Sequence, residues 1–348
     1  MIDTLIRQGD IFAAYRIPDE NTAHLLIQND HSPLILQDVS QLNGQQGYVM
    51  APYHVTDEHP LVIIRPDRDA ILPVTDERTN GRTDERANER TGKPTTEYEH
   101  CFSLFIQSLQ EKRLDKLVLS RQMNVERHSD FSPEQAFFTA CRRYKHSYVY
   151  LCHTPVTGTW LGSSPEILLS GSGNQWHTVA LAGTQPLSNG ELPAAWDDKN
   201  KEEQHLVAMY VKQQLTAHGI RFSEEPPHAV RAGELAHLRS DFHFSLPDAN
   251  HLGNLLKRLH PTPAVCGLPK EKAYRFTLNE EGYDRRYYSG FTGRLHPTGN
   301  TDLYVNLRCM HIGQQLTLYA GGGLLPSSSL NEEWKETEDK LQTMLKLI

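Results

Sequence analysis

The chain has 348 residues, which is enough for one large domain or two small ones. Apolar residues make up 38% of the chain and charged residues 22%, a balance typical of a folded globular protein. The formal net charge of −8 argues against nucleic acid or an anionic membrane surface as the main partner. An anionic small molecule stays open as a ligand, because a locally basic site or a divalent cation can attract it.

The start of the chain and its cysteines indicate a compartment. Residues 1–12 include acidic and basic side chains and lack the apolar run of a signal peptide. The five cysteines are odd in number and contain no CxxC pair, which is typical of free thiols in a reducing compartment. The longest stretch without charged side chains, 147–165, does not have the composition of a membrane span. We therefore expect a cytoplasmic protein without a membrane partner.

The charged segment Thr75–Lys93 divides the chain. It reads TDERTNGRTDERANERTGK, contains almost no apolar residue, and cannot contribute to a core. Before it, residues 1–74 have short apolar runs between turn residues, which predict strands with few helices. Residues 75–96 are expected to form a linker or exposed loop, and residues 97–348 form a larger block.

The larger block has clearer elements. Helical spacing, a Ser-Pro start and a capping box predict helices at 98–110, 132–144, 197–218 and 329–348. Apolar runs predict strands at 117–125, 301–312 and 315–319. Helices and strands alternate without a strict βαβ rhythm, so the sequence favours an α+β fold over a doubly wound one.

Two titratable residues stand at the starts of apolar strands. Lys116 shares one strand face with Val118, so burial would lower its pKa and leave a neutral amine that can act as a base. Glu166 lies between a small-residue turn and a strand, where burial would raise its pKa and make it a general acid. A solvated lysine and a surface carboxylate are the alternatives for each residue considered alone.

Carboxylates on two helices could form a cation site. Glu203 lies one turn before the apolar residues of its helix, and Glu333, Glu336 and Lys340 share one face of the last helix. Hard oxygen ligands of this kind are what Mg²⁺ prefers. The alternative for Glu336 and Lys340 is an exposed i,i+4 ion pair worth about 0.3–0.5 kcal/mol.

Two further features could bind a carboxylate. Gly321, Gly322 and Gly323 follow a strand that we expect to end at Ala320, and the N–H groups of such a turn can bind an anion. Arg308 is expected on one face of a continuous strand, and its guanidinium suits bidentate recognition of a carboxylate. A simple turn and a surface arginine are the alternatives.

Taken in order, these motifs resemble the chorismate-utilising enzymes, the family of isochorismate, salicylate, anthranilate and aminodeoxychorismate synthases. The resemblance covers the chain from about residue 97 to its end. The matching stretches are Lys116–Arg121, Gly162–Glu166, Leu181–Thr184, the helix of Glu203, Leu259–Gly267, Tyr288–Gly293, Val305–Arg308, Tyr319–Gly323 and Glu333–Thr337 with Lys340.

The resemblance implies a fold and a reaction. The fold is α+β, with two packed antiparallel sheets, helices outside, and residues 1–74 completing the sheets. The reaction is the Mg²⁺-dependent conversion of chorismate to isochorismate. Lys116 would take a proton from the water that attacks C2, and protonated Glu166 would donate one to the leaving C4 hydroxyl. Glu203 and Glu336 would hold Mg²⁺, with Glu333 nearby or binding through water.

The resemblance also implies the substrate contacts. Arg308, Lys340 and the backbone N–H groups around Gly183 and 321–323 would hold the carboxylates of chorismate. His237 matches a family histidine near the substrate. Gln185 departs from the family pattern, in which Arg is common, and weakens the assignment of carboxylate contacts there. The family resemblance suggests a monomer.

Two positions separate the reaction types of the family. Ammonia-using members typically carry Gln in place of Lys116, and members that form an adduct at C2 carry Lys in place of Ala182. This chain therefore resembles the water-using members, and its run HPTPA at 260–264 resembles isochorismate synthases. Salicylate synthase, an amine-transferring synthase and a non-catalytic chorismate-binding protein are the alternatives. Since no fused siderophore or amidotransferase domain is visible, menaquinone biosynthesis is favoured over a siderophore pathway.

Overall fold

The protein is represented by a computed structural model that describes residues 1–75, 92–187, 190–233, 235–246 and 248–348. Most of the segment Thr75–Lys93, for which we expected a linker or loop, lies outside the described residues. All five cysteines are free thiols, as the sequence predicts. In the part of the chain that the structure describes, no helix combines the length and the apolar character needed to cross a membrane.

Seven α-helices lie within the described ranges, with short 3₁₀-helices at Val39–Leu42 and Ala249–His251. Four of the seven, α2, α3, α4 and α7 below, match the predicted helices to within three residues at each end. In chain order the α-helices are Ile2–Gln8 (α1), Thr96–Gln110 (α2), Pro133–Arg143 (α3), Asp198–Ala217 (α4), Leu252–Leu259 (α5), Lys270–Glu280 (α6) and Leu330–Leu345 (α7).

The predicted helix starts carry side-chain caps. Ser132 accepts a hydrogen bond from the N–H of Gln135, and Pro133 occupies the first turn of α3. Asp197 caps α4, and Ser329 caps α7 by accepting from the N–H of Glu332. Each cap satisfies one of the N–H groups that a helix start leaves without an intrahelical partner.

The described residues form nineteen strands, and every pairing between them is antiparallel. In chain order they are Ile11–Arg16 (β1), Thr22–Gln28 (β2), Leu34–Leu36 (β3), Gly47–Ala51 (β4), Leu61–Ile64 (β5), Arg68–Pro73 (β6), Lys116–Glu126 (β7), Tyr148–Thr154 (β8), Gly158–Ser164 (β9), Ile167–Ser172 (β10), Gln175–Pro186 (β11), Phe222–Glu224 (β12), His228–Ala232 (β13), Leu235–Phe244 (β14), Gly267–Leu268 (β15), Phe291–Leu295 (β16), Thr301–Val305 (β17), Cys309–Ile312 (β18) and Gln315–Leu324 (β19).

The strands form two large sheets. One sheet has the order β15-β7-β19-β18-β9-β8-β1-β2-β6, and the other has the order β12-β14-β11-β10-β17-β16-β4-β5-β3, with β13 paired to β14. Strands β1–β6, from the N-terminal portion of the chain, are divided between both sheets. The expected α+β fold of two antiparallel sheets with helices outside is confirmed.

An aromatic core lies between the two sheets. Its members come from both sheets, and the rings of Tyr148 and Tyr304 stack across the interface with centroids 4.2 Å apart. Helices α4 and α5 pack on the outer face of the sheet that contains β11, while α1, α3 and α7 cover the outer face of the other. Helices α2 and α6 pack against β7.

Two of the points at which the chain passes from one sheet to the other are neighbours in the fold. Strand β9 belongs to one sheet and β10 to the other, so Pro165 and Glu166 form one crossing; residues 306–308, between β17 and β18, form the second. The N–H of Val305 donates to the carbonyl of Glu166 at 2.9 Å, which ties the crossings together. The prediction of one continuous strand over 301–312 is therefore wrong, because the chain changes sheets there.

Candidate active site

A cavity of about 620 Å³ lies beside the two crossings, and residues of β7, β11, β14, β19, α4 and α7 line it. Most of the sequence-predicted site residues contribute to its wall. Lys116, Gly322 and Glu333 are predicted site residues that stand behind the wall. The predicted residues on the wall are Glu166, Gly183, Glu203, His237, Arg308, Gly321, Gly323, Glu336 and Lys340.

Lys116 is completely buried at the first position of β7. Its Nζ atom donates to the carbonyl of Pro263 at 2.8 Å and lies 3.0 Å from Oε1 of Glu203. The alternative interpretation, a lysine side chain in solvent, is therefore wrong for this position. The carboxylate of Glu203 is the acidic partner of Lys116 in the folded protein.

Glu166 lies on the cavity wall and is also buried, at 2% exposure. Burial raises its pKa to about 7, against the lowering effects of Thr262, Lys116 and Lys340. The hydroxyl of Thr262 donates to Oε1 at 3.1 Å. A carboxyl group with this pKa is protonated in a large fraction of molecules near neutral pH, which is what a general acid requires.

Three lysines pair with the three carboxylates for which the sequence predicts a metal site. Burial alone would raise the pKa of Glu203, but Lys116 and Lys199 outweigh it and lower that pKa. Burial and the neighbouring Glu336 raise the pKa of Glu333 to about 7. The pairs are Lys116 with Glu203 at 3.0 Å, Lys199 with Glu333 in a short contact, and Lys340 with Glu336 at 2.7 Å.

The donor set fits Mg²⁺, although the carboxylates are not gathered around one point. Glu203 and Glu336 face the cavity, and Oε2 of Glu333 is buried without a hydrogen-bond partner. Such an orphaned oxygen is costly unless a cation or water reaches it. The groups of three ligand atoms that lie within 4.8 Å of one another in the described residues do not include these glutamates. Each is instead drawn toward its own lysine.

The three glycines of 321–323 lie inside β19, so the predicted anion-binding turn is wrong. Gly321, Gly322 and Gly323 pair with Ser120, Leu119 and Val118 of β7. A Cβ atom on Gly323 would come within 2.0 Å of Oε1 of Glu203, and one on Gly322 within 3.0 Å of Oε2 of Glu333. Glycine at these positions leaves room for acidic side chains from two helices, which approach the strand backbone closely.

Arg308 lies in the second crossing and reaches the cavity from a left-handed backbone conformation, with φ of 45°. Its guanidinium donates to the carbonyl of Ala232 at 2.7 Å and to Nε2 of His237. Burial, followed by the charges of Arg308 and Lys340, holds the pKa of His237 well below its usual range. His237 is therefore neutral, with its proton on Nδ1, because Nδ1 faces the carbonyl of Gly183 at 2.9 Å.

Gly183 forms a bulge in β11 at the cavity wall. Its φ is 75°, and the register with β14 shifts between Ala182 and Thr184. Oδ1 of Asn200, on the first turn of α4, accepts from the N–H of Thr184 at 2.8 Å. The bulge thus joins β11 to the helix that carries Glu203.

Several residues of the site were not identified from the sequence. Lys199 stands four residues before Glu203 on α4, so helical spacing could have placed both on one face. Glu281 and Arg285 form a fully buried ion pair, in which Arg285 also donates to the carbonyls of Val118 and Val265. Their i,i+4 spacing is too common to have indicated a buried pair.

Comparisons with known proteins identify the family of this chain. The family model described as chorismate binding enzyme matches residues 43–348. The isochorismate synthase MenF of Escherichia coli is 31% identical over 264 residues, covering 72% of this chain and 61% of MenF. The isochorismate synthase EntC of the same organism is 29% identical over 244 residues, covering 67% of this chain and 62% of EntC. The chain therefore spans about three fifths of each relative.

Solved structures share the fold. The structure of MenF, the menaquinone-specific isochorismate synthase from Escherichia coli, superposes with a TM-score of 0.78 at 21% identity, covering 99% of this chain and 91% of that one. Anthranilate synthase component I from Streptococcus pneumoniae superposes with a TM-score of 0.66 at 16% identity, covering 97% and 90%. Since the family model matches far more than half of the sequence, this chain belongs to the chorismate binding enzymes.

Proposed function

We propose that this protein is an isochorismate synthase, which moves the hydroxyl function of chorismate from C4 to C2 by attack of water. The observation that supports this best is the buried lysine at position 116, which lies behind the wall of a cavity lined by Glu166. Members that deliver ammonia typically carry glutamine at the position of Lys116, so a lysine there favours water as the nucleophile. Similarity to MenF and EntC is the second support.

In this reaction Lys116 removes a proton from the attacking water, and Glu166 donates a proton to the departing hydroxyl. Both side chains are oriented by the same loop, since Pro263 accepts from Lys116 and Thr262 donates to Glu166. The ion pair of Arg285 holds this loop against β7 through the carbonyls of Val265 and Val118. The base and the acid thus share one support, which keeps their separation constant.

The two carboxylates of chorismate require cations. Arg308 and Lys340 line the cavity, and Lys340 is held by the carbonyl of Gly321 at 2.8 Å and by Glu336. Neutral His237 accepts a hydrogen bond from Arg308 and adds no charge of its own. It therefore orients the guanidinium, whose positive charge stays available to a carboxylate of the substrate. Because Gly321–Gly323 is strand and not turn, we assign the backbone contribution to the bulge at Gly183.

The proposed cofactor is Mg²⁺, held by Glu203 and Glu336 with Glu333 close by. When bound, it supplies positive charge to the ring carboxylate of the substrate. Three carboxylates lie in or close to the cavity, and each forms an ion pair with a lysine.

Product analysis tests the proposal. Purified protein is incubated with chorismate and Mg²⁺, and the products are separated by chromatography. We expect isochorismate alone, with turnover reduced about 10²-fold or more in Lys116→Ala and Glu166→Gln and unchanged in the exposed control Lys335→Ala. Salicylate with stoichiometric pyruvate would identify a salicylate synthase instead. Turnover that depends on ammonia would identify an amine-transferring enzyme, and binding without turnover would identify a non-catalytic protein.

We also propose that the product enters menaquinone biosynthesis in the cytoplasm. The support is the 31% identity to MenF, whose solved structure is described as menaquinone-specific. Deleting the gene and extracting quinones tests it, and menaquinone should disappear from the extract. Normal menaquinone together with loss of a siderophore would contradict it.

A further inference from the structure

One face of β14 carries polar side chains that project away from the core. Asp241 and His243 alternate along the strand with Phe242 and Phe244, which are buried in the core beneath α4 and α5. On the neighbouring strand β11, His177 lies directly opposite His243. The eighteen histidines of the chain have no ligand spacing along the sequence, but strand pairing brings several of them together here.

The polar atoms of this face are close enough to share one ion. Nε2 of His177 lies 2.6 Å from Oδ1 of Asp241, and the imidazole rings of His177 and His243 stack with centroids 4.7 Å apart. Ligand atoms of these three residues all lie within 4.8 Å of one another. Glu225 and His228 form a second group of the same kind around Asp241.

We propose that His177, Asp241 and His243 bind a divalent transition-metal ion such as Zn²⁺, with Glu225 and His228 at the rim of the site. Two imidazoles and one carboxylate are a ligand set that suits Zn²⁺, which takes three protein ligands and leaves a fourth position for water. A cleft of about 1160 Å³ lined by His177 and His243 opens beside them and gives an ion access from solvent.

Arg239 would compete with a metal ion for the carboxylate of Asp241. Its guanidinium donates to both oxygens of Asp241, at 2.9 Å to Oδ2 and 3.0 Å to Oδ1 through Nε. Asp241 is only 5% exposed, so its negative charge needs a partner. Burial by itself would raise the pKa of Asp241, but His177 and Arg239 outweigh it and keep that pKa far below its usual range. An ion at this site has to share Asp241 with Arg239, so removing the guanidinium should tighten binding.

The proposed metal site is separate from the cavity. Gly183 and His237 lie on the same two strands, but six residues separate His177 from Gly183 along β11. At a rise of about 3.3 Å per residue this is about 20 Å. The inference is therefore independent of the proposed isochorismate synthase activity.

Calorimetric titration of the full chain with Zn²⁺ tests the site. Excess Mg²⁺ is included so that the glutamates of the cavity are occupied by an ion that prefers oxygen ligands. We expect one Zn²⁺ per chain, with affinity about 10- to 100-fold weaker in His177→Gln and in His243→Gln and tighter in Arg239→Gln. The matched control is His146→Gln, which removes an exposed histidine that also lies 2.6 Å from an aspartate, Asp19, but belongs to no group of three ligands among the described residues.

Three results would overturn the inference. They are no Zn²⁺ binding by the unmodified chain, equal binding by the chain and its His177→Gln and His243→Gln variants, and the same loss of affinity in His146→Gln. Far-UV circular dichroism confirms that each variant is folded, and turnover of chorismate should be the same in all of them.

Discussion

The substitution Gly323→Ala should displace the carboxylate of Glu203 within the site and leave the protein folded. The single added methyl group points at Oε1 of Glu203, 2.0 Å away. Gly323 has no left-handed backbone conformation, so alanine introduces no strain of its own, and the atom that has to move is the far end of a flexible side chain. The fold should therefore tolerate the substitution, while the carboxylate is displaced.

The size of the displacement follows from contact distances. Oε1 has to move from 2.0 Å to an ordinary contact distance of 3.4 Å from the new Cβ atom, a shift of at least 1.4 Å. If Oε1 moves away from Lys116, the ion pair lengthens from 3.0 Å and loses about 2 kcal/mol of attraction at an effective dielectric constant of about 20. A misplacement of about 1 Å at a catalytic site reduces turnover about 10²-fold. We expect kcat/KM and Mg²⁺ affinity to fall by this factor and the free energy of unfolding by no more than about 2 kcal/mol.

The adjacent glycine provides the matched control. A Cβ atom on Gly322 comes within 3.0 Å of Oε2 of Glu333 and 3.5 Å of Oε1 of Glu336, so a shift of a few tenths of an ångström relieves it. Isochorismate formation, Mg²⁺ titration and urea unfolding are measured for both alanine variants. Unchanged turnover and Mg²⁺ affinity in Gly323→Ala, or an equal loss in Gly322→Ala, would refute the position assigned to Glu203.

Three further predictions concern the proton, the metal and the charged segment. In the proposed mechanism Glu166 acts in its protonated form, and burial raises its pKa to about 7. We therefore expect kcat to fall as pH rises through about 7, and a flat pH profile from 6 to 9 would contradict this. Chorismate affinity, measured by calorimetry, should fall when EDTA removes Mg²⁺; equal affinity with and without EDTA would contradict the metal's role. Limited proteolysis within 75–93 should nick the chain without separating it, and two independently soluble fragments would contradict a single fold for residues 1–348.

The sequence predicted elements wherever local patterns decide the structure. The starts of α3, α4 and α7 carry Ser132, Asp197 and Ser329, whose caps depend only on residues within one turn. Burial of Lys116, Glu166 and most other proposed site residues in or beside one cavity also agrees with the motifs. The fold itself was accessible through the family resemblance rather than through periodicity.

Features that depend on distant partners were not predictable in the same way. Residues 301–312 read as one apolar run, yet the chain leaves one sheet for the other at 306–308, where Asn306 accepts from Tyr150 and donates to Tyr287. The glycines of 321–323 read as a turn, since the sequence does not show that glutamates from α4 and α7 press against this strand. Both errors concern residues whose conformation is decided by contacts across the core.

The electrostatics of the cavity differ from those of the whole chain. The net charge of −8 and three glutamates would together predict repulsion of a dicarboxylate. However, Glu203, Glu333 and Glu336 are paired with three lysines, and the guanidinium of Arg308 donates to a carbonyl and to a neutral imidazole. We therefore expect the site to attract an anion weakly before any metal binds, and the proposed Mg²⁺ would add two charges to a surface that is already close to neutral. Its removal should lower chorismate affinity because attraction is lost, not because bare carboxylates repel the substrate.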